Sequence, residues 1–345
     1  MLPLIALLTT LTNPITDPNT FPIAVWLQSP SQAERYKKAG INLYVGLWQG
    51  PTEDQLAALT KAGVPVVCDQ NAVGLKHKDD PIIAAWMHGD EPDNAQPTGK
   101  NEWGPCIPPP QIVADYERLK KADPKRPILL NLGQGVANDA WIGRGSGAKL
   151  SDYETYVKGA DIVSFDVYPV SGLNDPSQLG LVAKGIDRLN NWTSGKKRVW
   201  NCLEASRIDG KSKVTGPQLK AQAWSAIIHG STGLIYFVHQ FAPTFNEHAL
   251  LDDPELLPDV TELNHQIQSM APILLSKPVS GSKSDNPQIH TSARSHKGTN
   301  YTFAQSLSAT PIETTLTHTG KAERVSFAPY ELKIYKSAAN GSLGD

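Results

Sequence analysis

Short apolar runs recur along the first 241 residues, and each gives way to a stretch whose apolar positions return every three or four residues. The runs fall at 21–28 (FPIAVWLQ), 41–48 (INLYVGLW), 64–69 (VPVVCD), from 82 (IIAAWMHGDEPDN), 127–133 (PILLNLG), 161–170 (DIVSFDVYPV), 198–206 (RVWNCLEAS) and 233–241 (GLIYFVHQF). Their length and enrichment in Val, Ile and aromatics predict strands. Helical periodicity predicts helices at 29–40, 52–63, 108–124, 151–160, 179–193, 215–230 and 255–275. Ser29-Pro30 opens the first, Thr52 N-caps the second, and Gly40 and Gly63 stop them. Strands that alternate with helices imply a parallel sheet, because parallel neighbours need crossover connections. Eight is the number that closes a (β/α)8 TIM barrel, and residues 21–276 match its usual size. An open doubly wound sheet is the rival, but no GxGxxG follows the first strand.

From residue 277 the texture changes to Thr- and Ser-rich alternation with turn signals, which predicts a small antiparallel β module of sandwich type over 277–336. Residues 337–345 (SAANGSLGD) read as a flexible tail. At the other end, residues 1–20 form an N-terminal segment whose apolar run, MLPLIALLTTLT, is too short to span a bilayer. It reads as a trimmed export signal or as a cover for the barrel floor.

Composition narrows the function. Net charge is −2, and lysines and arginines are scattered, which argues against a nucleic-acid partner. No run reaches the length of a membrane span. Three cysteines, Cys68, Cys106 and Cys202, allow at most one disulfide and lack zinc spacing. His88 and Asp90 have no third ligand at hand, so no metal and no cofactor is expected.

In a TIM barrel the chemistry sits at the C-terminal ends of the strands. Those ends carry Gln28, Trp48, Asp69, Asp90 with Glu91, Gln134, Asp166 with Tyr168, Glu204 and His239. A Glu after strand four and another at the tip of strand seven point at one central cavity. Facing carboxylates are what cleavage of a glycosidic bond requires, one to protonate the departing oxygen and one to attack or to activate water. Alternation along 161–170 puts Ser164, Asp166 and Tyr168 on the barrel-lining face and Val163, Phe165 and Val167 on the helix-facing one. Trp48, Trp103, Trp141 and Phe241 stand on or beyond the top loops, where flat rings stack on sugars.

The endings GDEP on strand four, CLE on strand seven and FDVYP on strand six resemble those of the clan A retaining glycoside hydrolases. The resemblance implies a (β/α)8 barrel that cleaves β-glycosidic bonds by double displacement, with Glu91 as acid/base and Glu204 as nucleophile, the latter held by a hydrogen bond from Tyr168. The strand ends and top loops place Gln28, Trp48, Asp90, Trp103, Gln134, Asp166, Tyr168 and His239 around the substrate. Asp90 stands where clan members carry Asn, and no arginine closes strand two.

The expected partner is a carbohydrate, a poly- or oligosaccharide given the long loops after strands four and five, met by a monomer that is secreted or periplasmic. Two other classes stay in view. A carbohydrate-binding barrel without turnover would keep aromatic platforms but bury or turn away one of the two glutamates. A barrel acting on phosphorylated metabolites would need glycine-paired loops after strands seven and eight, which SRIDGKSKVTG and APTFNEH lack.

Overall fold

The computed structural model describes residues 11–100, 102–141, 149–209, 211–318 and 320–339. Eight parallel strands form the barrel: β1 (Ile23–Trp26), β2 (Leu43–Val45), β3 (Val66–Cys68), β4 (Ile83–Met87), β5 (Ile128–Leu132), β6 (Ile162–Phe165), β7 and β8 (Leu234–Phe237). Strand β7 runs in two segments, Arg198–Val199 and Asn201–Glu204, interrupted at Trp200. Its first segment pairs with β6 and its second with β8, while β8 pairs with β1, so the ring closes through β7. A further bridge from Asp166 to Cys202 joins β6 to β7 near the top.

The helices are α1 (Ala33–Lys38), α2 (Glu53–Ala62), α3 (Ala72–Lys76), α4 (Pro109–Ala122), α5 (Tyr153–Tyr156), α6 (Gly180–Trp192), α7 (Gly216–Ile228), α8 (Leu256–Ser269) and α9 (Ala271–Leu274). Local chemistry sets their ends. Thr52 and Gln55 exchange backbone and side-chain bonds in a capping box at the start of α2, and Gly63 ends it in the left-handed region at φ 66°. Helix α3 has no counterpart in the periodicity, because five residues are too few to show one. A short hairpin, Pro97–Gly99 with Glu102–Trp103, rises from the loop after β4.

Two apolar layers hold the barrel. Ala24, Trp26, Leu43, Val45, Val67, Ala85, Met87, Leu129, Trp200 and Cys202 fill its interior, and Ile15 joins them. Asn13 donates to the Ala84 carbonyl at 3.0 Å, so the segment before β1 is fastened to the barrel; residues 1–10 lie outside the described set. The alternate positions, including Val163, Phe165, Val167, Leu203 and Ala205, pack against the helices. Gly185 of α6 lies so close to the Phe165 ring that a Cβ there would stand 2.2 Å from it, which seats α6 tightly on β6.

Beyond the barrel lie β9 (Pro278–Val279), β10 (Lys283–Ser284), β11 (Ile289–His296), β12 (Thr299–Ser306), β13 (Ile312–His318), β14 (Lys321–Phe327) and β15 (Leu332–Ala338). They form a four-stranded sheet ordered β9-β11-β12-β15 and a three-stranded one ordered β10-β13-β14. Trp224 of α7 stacks on Phe303 of β12 with ring centroids 5.6 Å apart, joining barrel to module. Strand β15 runs through Ala338, where Thr299 is its partner, so the first two residues of the expected tail are ordered by the ladder. Among the described residues no helix is long and apolar enough to cross a membrane.

Candidate active site

Strand β4 is fixed at its base before it delivers its tip. The buried Asp123 carboxylate accepts from the Trp86 indole at 3.0 Å and from Arg126 at 3.1 Å, and Arg126 also donates to the carbonyls of Ile83 and Asp80. Hydrogen bonds that involve a charged group contribute about 1.5–3 kcal/mol each, so this end of the strand is stiff. At the other end Glu91 adopts φ 42°, a left-handed conformation that a side-chain-bearing residue takes only when its surroundings impose it. Its amide donates to the Asn131 carbonyl at 3.2 Å, and its carbonyl accepts from the Asn94 amide at 3.0 Å and the Gln96 side chain at 3.1 Å. The backbone that carries the glutamate is therefore bound on both sides.

Around this tip the structure gathers three carboxyls. Asn131, buried within β5, donates from one amide nitrogen to Asp90 at 2.9 Å and to Asp166 at 3.3 Å, while its carbonyl accepts from the Ser164 hydroxyl at 2.7 Å. Glu91 lies close enough to Asp166 to act on its ionisation. Solvent reaches Asp90, yet crowding by the cavity wall and the charge of Glu91 push its carboxyl up to about 7, against the opposing bond from Asn131. Desolvation, then the charges of Glu91 and Asp90, raise Asp166 well above the usual carboxylate range. Tyr168 stands in the same group: burial first, then Asp166, hold its hydroxyl protonated. Burial and the neighbouring negative charge thus both favour a proton on Asp90 and Asp166.

Asp93, the third acid of the DEPD turn, has a different place. It is buried, accepts from the Gly133 amide at 2.9 and 3.1 Å and from the Tyr153 hydroxyl at 2.7 Å, and so ties the turn to the end of β5 and to α5.

Beside the carboxyls opens a cavity of about 790 Å³ that Asp90 lines together with Trp26, Trp48, Phe237, His239, Phe241 and Phe245. Trp48, Phe241 and Phe245 are 69%, 56% and 64% exposed, which leaves their faces open to a ligand. Gln28 and His239 also line it but are already engaged: Gln28 accepts from Tyr36 at 2.6 Å, meets His239 at 3.2 Å and donates to the Glu247 carbonyl at 2.7 Å. The Glu247 side chain, on the loop after β8, accepts from the Ser29 amide at 2.7 Å and closes that side of the wall.

The expectation for Glu204 is not met. Its carboxylate is 0% exposed and accepts from the Val170 amide at 2.9 Å, the Ser171 amide at 2.5 Å and hydroxyl at 2.6 Å, and Gln222 of α7 at 2.8 Å. Burial raises its pKa and those donors lower it. Tyr168 is not its partner; that ring packs on Phe237 with centroids 5.3 Å apart. The physical reason is that a buried carboxylate needs donors, and the loop after β6 offers two amides and a hydroxyl at one place.

Other expected positions divide. Asp90, Glu91, Asp166 and Tyr168 come together, and Trp48, Gln28 and His239 line the adjoining cavity. Trp103 lies on the hairpin, 53% exposed and outside the cavity lining, and Gln134 starts the turn after β5, where its carbonyl accepts from Asn138. Residues 142–148 of the long loop after β5 lie outside the described set. Asn131, Phe245 and Glu247 escaped notice in the sequence. Asn131 left a signal, a polar residue inside the apolar strand PILLNLG; the other two sit in a loop that shows no periodicity. Among the described residues no group of His, Cys, Asp and Glu has the makings of a metal site, and His88 bonds the Gly159 carbonyl instead.

No family model matches the chain, and no curated protein matches it. Solved structures resemble it in fold. A catalytic mutant of Gan42B, a family 42 β-galactosidase from G. stearothermophilus, superposes with a TM-score of 0.63 at 10% identity, over 93% of this chain and 98% of that one. A family 39 glycoside hydrolase from Bacteroides cellulosilyticus gives 0.52 at 13% identity over 93% and 82%, and Amy13B from Eubacterium rectale 0.54 at 7% over 93% and 96%. At these identities the likeness establishes the barrel architecture, one that glycoside hydrolases share.

Proposed function

We propose that the chain is a glycoside hydrolase acting on a poly- or oligosaccharide, with Glu91 as the acid/base. The observation that carries this reading is the carboxyl group formed by Asp90, Glu91 and Asp166 at the C-terminal ends of β4 and β6, beside an aromatic cavity of sugar-binding size. Burial and the Glu91 charge favour a proton on Asp90 and Asp166, and glycosidic cleavage needs a protonated and an ionised carboxyl side by side. Asn131 holds these two at bonding distance. Double displacement through Glu204 is not carried forward, because that carboxylate has no access to a substrate.

A second reading has a specific observation in its favour. A buried glutamate at strand seven combined with open aromatic faces is the pattern of a barrel that binds carbohydrate without turning it over. One experiment separates the two. Wild type, Glu91→Gln and Glu204→Gln are assayed for reducing-end release on β-glucan, mannan, galactan and xylan, with binding measured in parallel. The hydrolase reading expects release by wild type and a loss of about 10²–10⁴-fold in Glu91→Gln. Glu204→Gln should keep turnover within about tenfold while losing stability of about 1–3 kcal/mol. Binding with no release from any glycan would establish the second reading. Loss of turnover in a fully folded Glu204→Gln would show that the reaction depends on the buried glutamate, and unchanged substrate binding with lost turnover would assign it to positioning the end of β6.

A further inference from the structure

At the opposite end of the barrel from the carboxyls, the turn between α7 and β8 meets the β module around a cavity of about 750 Å³. Its walls come from residues 228–232, 274–282 and 291–294, with Asn190. Two features set it apart. Among the described residues no aspartate or glutamate lines it, and its wall includes Arg294, which is only 8% exposed. Among the described residues Arg294 has no carboxylate partner. Its Nε reaches the Leu274 carbonyl at 3.4 Å and one Nη the Ala293 carbonyl at 3.3 Å, both long and both neutral acceptors. Burial lowers its basicity. A buried cation without a counter-charge is costly, and the cost falls away when an anion binds beside it.

The rest of the lining describes the ligand. Lys277, exposed at the rim, makes no ion pair among the described residues and adds a second positive charge. Ser280, Ser282, Thr291 and Ser292 also line the cavity, and among the described residues no hydrogen bond engages their hydroxyls. No Trp, Tyr or Phe lines the walls, so nothing there stacks on a planar base. The volume is that of a site for an organic molecule and far exceeds what a bare inorganic ion fills. We infer that this cavity is a second binding site, distinct from the mouth, for a hydroxylated organic anion of sugar size, such as a saccharide unit bearing a carboxylate or sulfate. Arg294 and Lys277 meet the oxyanion, and the free hydroxyls meet the ring hydroxyls.

The test is calorimetric titration of the full chain with trigalacturonate, with neutral galactotriose and with sodium sulfate, at about 20 and about 200 mM salt. Trigalacturonate should bind at least about tenfold more tightly than the neutral trisaccharide and than sulfate, and weaken at the higher salt. Arg294→Met should lose about tenfold or more in affinity, and the exposed Lys277→Glu, which keeps the result readable if Arg294→Met fails to fold, a similar factor. Glu91→Gln should leave this binding intact, so the outcome stands apart from that of the hydrolase reading. Equal affinity for the acidic and neutral sugars, sulfate binding as tightly as trigalacturonate, no binding of trigalacturonate, or a folded Lys277→Glu that binds as wild type would each overturn the inference.

Discussion

Replacing Asp93 by Asn should remove a pH dependence of stability whose size follows from the structure. Asp93 is 1% exposed, and burial pushes its carboxyl up to about 6, although the Gly133 amide and the Tyr153 hydroxyl favour the ionised form. In the unfolded chain the same group titrates near 3.8. Below about pH 4 it is protonated in both states and costs nothing. Between about pH 4 and pH 6 the unfolded chain releases the proton while the native chain keeps it, so stability falls as pH rises. Above pH 6 both are ionised and the loss levels off. A gap of about 2 pH units at about 1.4 kcal/mol each amounts to about 3 kcal/mol. In Asp93→Asn the amide keeps an acceptor for Gly133 and a donor for Tyr153, and the slope should vanish. Urea unfolding followed by tryptophan fluorescence across this range gives the difference between wild type and variant. That difference should shift by about 3 kcal/mol against wild type on going from pH 4 to pH 7. A constant difference would refute the reasoning, and one that moves the other way would show that the hydrogen bonds outweigh burial.

Removing the shared amide in Asn131→Ala takes a donor from Asp90 and Asp166 and raises both carboxyls further. The acidic limb of the kcat/KM profile should then move up by about one pH unit; an unmoved limb would mean that this amide does not set the site's ionisation. Trp48→Ala, at a side chain 69% exposed, should leave the melting temperature almost unchanged and weaken glycan binding by about 0.5–1.5 kcal/mol, read by affinity electrophoresis. Unaltered affinity would remove Trp48 from the substrate path. Gln28→Leu breaks the links to Tyr36, His239 and the Glu247 carbonyl, and should cost about 2–3 kcal/mol in thermal unfolding; a loss below about 0.5 kcal/mol would show that the loop after β8 is held by other contacts.

The barrel was legible because its strands are buried on both faces and its helices on one, two patterns that periodicity separates. Strand β6 is the clearest case: alternation assigned Val163, Phe165 and Val167 to the helices, and they pack there, while Ser164 meets Asn131 inside. The same logic failed at the tip of β7. Trp200 and Cys202 fill the interior, so parity sends Glu204 there too, but at this last ladder position, opposite Phe237, the carboxylate is taken up by donors from the loop after β6 and from α7. Sequence spacing carries no information about which loop brings free amides to a carboxylate. Asn131 was within reach of a stricter reading, since a polar residue in an apolar strand demands a partner.

Glu204 nevertheless bears on the site through what it holds. Its four bonds tie the end of β7 to Val170 and Ser171, in the loop that follows β6, and to α7. Asp166 and Tyr168 lie immediately before that loop, so the buried glutamate fixes the wall from which they emerge. On the other side Asp93 binds the end of β5, which carries Asn131. Crowded carboxyls repel one another and would move apart if their backbones yielded. Two buried acids, each satisfied by donors from neighbouring strands and helices, are what keeps Asp90, Glu91 and Asp166 within reach of a single proton.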